Sequence, residues 1–428
     1  MKKFTKYALI FAVASLFTTG FTACSSDDNN DSTGVEQKLG ESEDSYLGKV
    51  LNQYVDQTIC ATYADMASNV TTFYERMKTL RDAVEKGSAT QAQVDSACAS
   101  WKRTRACYEK SEAFLLGAAS DYDIDPHIDT WPLSLTDLHD KLASNTELQK
   151  YITDDDAANI DKAHADLNQS LLGFHSVEFI IFRDGAPRKV ANFNSKYDNY
   201  NDQVDFTDIS PLNELKFGVT VAGDLMYSIY QLEVCWSGGT AEHKAALEAL
   251  EWKTSMPLVD RTYGENMKTA GQSGSLYTSV KAAVSAILIG DQGCVGICDE
   301  VGQTKLGKPY GLNTNSENAE SDPSYIESPY SWNSLTDFWD NIQSIKNTWY
   351  GGYTTNGTYS FHNYFAKMNA ELGKKVEDAI DNAQAKIKAC PTPFVKNYHN
   401  AQVLEAINAC DALTDVLTEA NTYIDSKK

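Results

Sequence analysis

The sequence predicts an all-α fold of two packed helical bundles with internal pseudo-symmetry. Three observations lead there. Apolar residues recur at steps of three and four along most of the 428-residue chain, the spacing that builds one apolar face on a helix. Alternating runs between turn residues, which would mark half-buried strands, are scarce. The segment Ser134-Leu-Thr-Asp137-Leu-His-Asp140 recurs 200 positions later as Ser334-Leu-Thr-Asp337-Phe-Trp-Asp340, with Trp131 and Trp332 just upstream. Ser-x-x-Asp also caps helices, so the echo can arise without duplication; the shared Leu-Thr and final Asp favour duplication. A duplicated bundle would leave a cleft between its halves.

The elements follow in chain order. Lys2, Lys3 and Lys6 precede an apolar run from Tyr7 to Phe21 that is short for a membrane span. Residues 1–23 read as a signal peptide cut before Cys24, which would carry lipid; Phe21-Thr22-Ala23-Cys24 is similar to a bacterial lipoprotein signal. Ser25-Ser26-Asp27-Asp28-Asn29-Asn30-Asp31 resembles the acidic tag that exports some Gram-negative lipoproteins to the cell surface, and it also reads as a plain solvated tether. Residues 24–43 have almost no apolar content and are expected to be disordered. No later segment has about 18 uninterrupted apolar residues. Lipid would therefore be the sole anchor, at the outer membrane or cell surface.

Residues 44–428 form the expected helical domain, its two bundles dividing within 190–250. Tyr46-Val50-Tyr54 and Ile59-Tyr63-Met66-Val70-Phe73-Met77-Leu80 predict one long helix or two. Further helices are predicted at Val94–Leu116, Asn159–Phe182, Leu212–Trp236, Gly274–Cys294, Leu335–Trp349, Phe361–Cys390 and Val403–Ile424. Composition marks loops at Asp121–Pro132, Asp184–Asp208 and Gly307–Tyr330, the kind of connection on which helical proteins often place function.

Charge and cysteines narrow the setting. Losing the leader, with its three lysines, takes the net charge from −22 to about −25. Such acidity argues against nucleic acid and against direct binding to anionic lipid. Eight cysteines beyond Cys24 permit disulfides in an oxidising compartment, with Cys294 and Cys298 the nearest local pair; buried free thiols are the other reading. There is no Cys-x-x-Cys, which disfavours a zinc ribbon.

The chemistry centres on Gly173-Phe-His175-Ser-Val-Glu178, inside the apolar stretch Leu171–Phe182. On a helix His175 and Glu178 share a face one turn apart. Burying that pair is costly unless a metal, a hydrogen-bond network or a substrate compensates. His and Glu at this spacing are familiar metal ligands in bundles; a core histidine bonded to its helix neighbour is the plainer reading. Two ligands make half a site. Trp101, Arg105, Tyr108 and Glu112 form one helical stripe, which would bring Glu112 in as the third ligand. Gly173 is expected to let a neighbouring backbone approach. Glu300 and Lys305, and the Glu327–Ser331 segment with Asp337 beyond it, are expected to wall the pocket; surface charge and capping are their alternatives. No His-Glu-x-x-His, Gly-x-Ser-x-Gly, P-loop or dinucleotide fingerprint is present, and no residue is assigned as catalytic.

Several segments together resemble the imelysin family: Trp101-x-x-x-Arg105-x-x-Tyr108-Glu109-x-Ser111-Glu112-Ala113-Phe114 with Gly117, Asp129-x-Trp131-Pro132, Gly173-x-His175-x-x-Glu178, Glu300-Val301-Gly302-x-x-Lys305 and Glu327-Ser328-Pro329-Tyr330-Ser331. They stand in family-like order over most of the chain beyond the tether. The resemblance implies a two-bundle helical fold, a site near the bundle interface, and iron-linked biology related to periplasmic uptake components that hold metal through His-x-x-Glu. The family also groups so-called insulin-cleaving metallopeptidases. Three readings therefore stand. One is a surface protein of iron acquisition. It would hold iron, zinc or a metal-containing ligand at His175, Glu178 and Glu112, lined by Arg105, Glu300, Lys305, Ser331 and Asp337, alongside iron-uptake partner proteins. Another is a metallopeptidase using the same residues. The third is a helical scaffold with a structural polar site. Few ligands and no evident base favour binding over hydrolysis.

Overall fold

The computed structural model describes residues 30–194, 204–312 and 320–427. The expected signal peptide and Cys24 lie outside those residues. The fold is all-α; among the described residues one two-residue hairpin, Phe182–Arg183 with Ala186–Pro187, is the sole strand pairing.

Eight helices build two bundles: α1 (Cys60–Glu85), α2 (Gln91–Glu109), α3 (Gly173–Ile181) and α4 (Pro211–Ser237), then α5 (Cys294–Asp299), α6 (Ser334–Tyr350), α7 (Ala370–Ala389) and α8 (Ala401–Asp425). In the first bundle α1 and α3 each pack on both α2 and α4. In the second, α5 and α7 each pack on both α6 and α8. The two share one cyclic order, and α2 meets α6 across the interface. The long α4 shows how local chemistry sets an element. Ser210 caps it by accepting from the Asn213 amide, Pro211 occupies its first turn, and Gly238 ends it in the left-handed region.

Four predicted helices are cut. Asn159–Phe182 becomes a helix over Ala157–Asp166, a 3-10 turn over Gln169–Leu171 and then α3. The Asn168 side chain accepts from the Ser170 amide, a local bond that competes with helix propagation. Gly274–Cys294 shrinks to Val280–Ile289, capped by Ser279. Phe361–Cys390 breaks at Asn369, whose side chain caps α7 by accepting from Leu372. The predicted Val94–Leu116 helix ends at Glu109, and a 3-10 turn over Glu112–Phe114 follows.

Other expectations need correction. Asn30–Leu39 is helical, inside the stretch expected to be disordered; Val35 and Leu39, one turn apart, are buried there. The Ser134 and Ser334 echoes do not take matching places. Ser134 caps a short helix, Leu135–Ala143, that packs on Asn145–Ile152, whereas Ser334 opens α6 at the bundle interface. Asp137 is exposed and Asp337 fully buried, so the shared letters are capping chemistry in two settings. Cys294 and Cys298 form no disulfide: both lie in the core on α5, and all eight described cysteines are free thiols. Val280–Tyr310 is long and apolar enough by composition to cross a membrane, but Ala283, Val284, Ile287, Leu288, Ile297 and Val301 are buried inside the fold.

Candidate functional site

Five pieces of chain converge around α2, which packs on α3 and on α6. The inner face of α2 presents Arg105, Tyr108 and Glu109, and the turn after it presents Glu112. A five-residue helix, Ile124–Ile128, brings Asp125, with Asp129 directly after it. α3 supplies His175 and Glu178. A π-helical segment, Glu300–Leu306, supplies Glu300 and Lys305. In a π-helix hydrogen bonds run five residues along the chain, so residues five apart stack on one face. That is the Glu300-to-Lys305 spacing. The Glu327–Ser331 loop and the Asp337 and Asn341 face of α6 close the far side.

Gly173 is what lets α3 dock. Its φ is +71°, and a Cβ there would stand 2.0 Å from the Ile128 carbonyl oxygen. The expected close backbone approach is therefore made with the helix that carries Asp125. Trp101 ties α2 to α3 by donating from its indole nitrogen to the Phe174 carbonyl at 3.1 Å.

The histidine and its helix neighbour take unequal parts. His175 Nδ1 lies 3.1 Å from Glu178 Oε2. Glu178 Oε1 accepts from the Tyr330 amide at 3.1 Å and from both the Ser331 amide and hydroxyl at 2.7 Å. Both oxygens of Glu178 are thus engaged. With both oxygens so held, Glu178 is placed to orient the imidazole. His175 Nε2, at the other end of the ring, lies 3.3 Å from Asp129 Oδ1 without the alignment of a hydrogen bond and is buried with no other partner. Asp129 and Glu327 complete the trio around His175; Glu112 converges instead with Glu109 and Asp129. Glu327 Oε2 is likewise buried without a hydrogen-bond partner.

Charge is out of balance in this cluster. Eight carboxylates, those of Glu109, Glu112, Asp125, Asp129, Glu178, Glu300, Glu327 and Asp337, surround two fixed cations. Arg105 pairs with Asp129, with Glu327 at 2.5 Å and with Glu109 at 2.5 Å. Lys305 pairs with Glu112 at 3.1 Å, Glu327 at 3.2 Å and Glu109 at 3.7 Å. Asn341 donates to Glu109 at 2.5 Å and Glu112 at 3.1 Å. Desolvation of so many anions is expensive without positive charge. Burial accordingly pushes Glu109 and Glu112 well above the carboxylate range, Glu300 and Asp337 up to about 7 and Asp125 up to about 6. Burial also opposes ionisation of Asp129, but Arg105 and His175 outweigh it and hold that carboxyl low. For His175 burial opposes the charged ring, and Asp129 and Glu178 overcome it, raising the imidazole to about 9. The upward shifts of His175 and of most of these carboxyl groups follow from the shortage of positive charge among buried carboxylates.

Trp131 divides two hollows beside the cluster. One, of about 450 Å³, is lined by His175, Trp131, Ser134, Pro323 and Tyr330. The other, of about 270 Å³, is lined by Glu112, Asp125, Asp129, Glu300 and Tyr325. The Trp131 ring lies 5.2 Å from Lys305 Nζ, and its indole nitrogen donates to the Tyr325 carbonyl at 3.1 Å. Of the residues expected at the site, His175, Glu178, Glu112, Arg105, Glu300, Lys305, Ser331 and Asp337 all fall in this one cluster. Asp129, Glu109 and Glu327 were not singled out as ligands, although each stands inside a quoted motif.

The family model described as Imelysin matches residues 59–420. The chain is 22% identical over 384 residues to Iron-regulated protein A of Synechococcus elongatus, covering 88% of this chain and 86% of that one. It is also similar to a crystal structure from Parabacteroides distasonis described as an iron-regulated protein A precursor: 26% identity, TM-score 0.69, covering 89% of this chain and 95% of the other.

Proposed function

The chain belongs to the imelysin family, a metallopeptidase family, and from that premise we propose that it binds a metal ion as cargo rather than cleaving peptides. The ion would be held by His175 Nε2, Glu327 and Asp129, with Glu109 at hand and Glu178 fixing the imidazole from behind. The observation that carries this reading is the pair of buried ligand atoms without a hydrogen bond, His175 Nε2 and Glu327 Oε2, beside Asp129 in a cluster short of positive charge. One imidazole among carboxylates suits iron or zinc. The iron-regulated relatives favour iron.

Hydrolysis is less well supported. It would need a metal-bound water within reach of a peptide bond and a base beside it. His175, Asp129 and Glu327 are only 1%, 4% and 0% exposed, and Arg105 and Lys305 stand against their carboxylates. Such a site suits capture of an ion. Delivery would follow at the cell surface or outer membrane, with the protein anchored through Cys24 and serving iron-uptake partner proteins.

Elemental analysis of protein purified without chelators or an affinity tag tests the proposal. Wild type should carry iron or zinc, His175→Ala should carry less of it, and neither should cleave peptides above background. Equal metal content in the two proteins would refute the site. Cleavage by wild type that disappears in the variant would establish the peptidase instead.

A further inference from the structure

We propose a second metal site, separate from the cluster above, formed by His127, His164 and Asp224 and suited to a divalent transition-metal ion. Asp224 lies midway along α4 and is wholly buried. Its hydrogen-bond contacts come from two imidazoles. His164 Nδ1 lies 2.7 Å from Oδ1, and His127 Nε2 lies 3.1 Å from Oδ1 and 2.9 Å from Oδ2. The three residues come from three separate helices: His127 from Ile124–Ile128, His164 from Ala157–Asp166 and Asp224 from α4. One donor atom from each lies within 4.8 Å of the others.

Two imidazole nitrogens and one carboxylate oxygen are a donor set for zinc, ferrous iron, cobalt or nickel rather than for magnesium or calcium, which prefer oxygen alone. Without an ion, each ring turns an N–H toward the carboxylate. With one, those nitrogens offer lone pairs and a neutral ring carries its proton on the other nitrogen. Three protein ligands leave positions for water or a further donor.

The surroundings allow entry yet hold the rings. The His164 side chain is 32% exposed, so an ion can reach it, whereas that of His127 is 10% exposed. Trp252 packs over His164 with ring centroids 4.1 Å apart and is fixed by its own indole bond to Asp161 at 2.6 Å. The Ile124–Ile128 helix thus carries Asp125 toward one site and His127 toward the other.

Calorimetric titration of the full chain with Zn²⁺ tests this inference, with the His164→Ala and His175→Ala variants alongside. Because His164 is partly exposed, its variant should fold, and circular dichroism checks that. Wild type should show a binding event that His164→Ala weakens at least tenfold and His175→Ala leaves in place. Co²⁺ in place of Zn²⁺ should give visible absorption bands, a part of which His164→Ala removes and His175→Ala keeps. Should His175→Ala fail to fold, wild type against His164→Ala still decides the matter. Identical Zn²⁺ and Co²⁺ titrations for those two proteins would overturn the proposal. A wild type with a single event, lost in His164→Ala, would support this site while counting against the His175 site.

Discussion

Glu178→Gln separates an orienting carboxylate from a metal ligand. In the wild type Glu178 Oε1 receives three donors from the Tyr330–Ser331 turn, and Oε2 faces His175 Nδ1. A glutamine is nearly the same shape. Its carbonyl can keep the three donors, which turns its NH₂ toward Nδ1. That nitrogen must then accept, so the ring proton moves to Nε2 and occupies the lone pair a metal would use. Loss of such an orienting partner typically weakens metal binding by about 10- to 100-fold, or about 1.4–2.8 kcal/mol. The hydrogen bonds also lose their charge, costing roughly 1–3 kcal/mol of stability. Calorimetry with Fe²⁺ or Zn²⁺ and urea denaturation read the two effects. Affinity equal to wild type would refute the orienting role. A loss as complete as that of His175→Ala would make Glu178 a direct ligand.

Other expectations follow from the same geometry. Gly173→Ala should destabilise the fold by at least about 2 kcal/mol, since left-handed strain alone costs an L-residue about 1–2 and the new Cβ would also press on the Ile128 carbonyl; a loss under 1 kcal/mol in urea denaturation would contradict it. Asp337, raised to about 7 by burial, binds its proton more tightly folded than unfolded. Its stabilising contribution is therefore full below about pH 4 and is lost as pH rises through 7. Ion-free Asp337→Asn should gain stability relative to wild type between pH 5 and pH 7, and a constant difference across that range would refute the assignment. Cys24→Ala should release the protein in soluble form and abolish lipid labelling; unchanged membrane retention would remove the anchor from the proposal.

Much of the fold could be read from the chain because core-facing residues at three- and four-residue steps report directly on helices such as α1, α4, α6 and α8. Helix ends were harder. The breaks at Asn168, Ser279 and Asn369 depend on single side-chain-to-backbone bonds that compete with an otherwise continuous apolar pattern. The site was legible in its membership and not in its wiring. His175 and Glu178 share a helix face as their spacing requires. That Glu178 is already saturated depends on a turn about 150 residues away. Glu112 lies on the expected side of the cluster but beyond the end of α2, where the 3-10 turn carries it to Lys305 rather than to His175. Asp129 and Glu327 sit in loops, whose side-chain directions no periodicity reports. Their one signal was Asp129-x-Trp131-Pro132 and Glu327-Ser328-Pro329 standing beside a histidine motif in family-like order.

The most direct test of the central claim is anomalous diffraction at the iron edge, from crystals of chelator-free protein loaded with iron. The account predicts a peak bounded by His175 Nε2, Asp129 and Glu327, with Glu178 still bonded to the Tyr330–Ser331 turn. An iron-loaded crystal with no peak there, or with iron bound directly to Glu178, would contradict it.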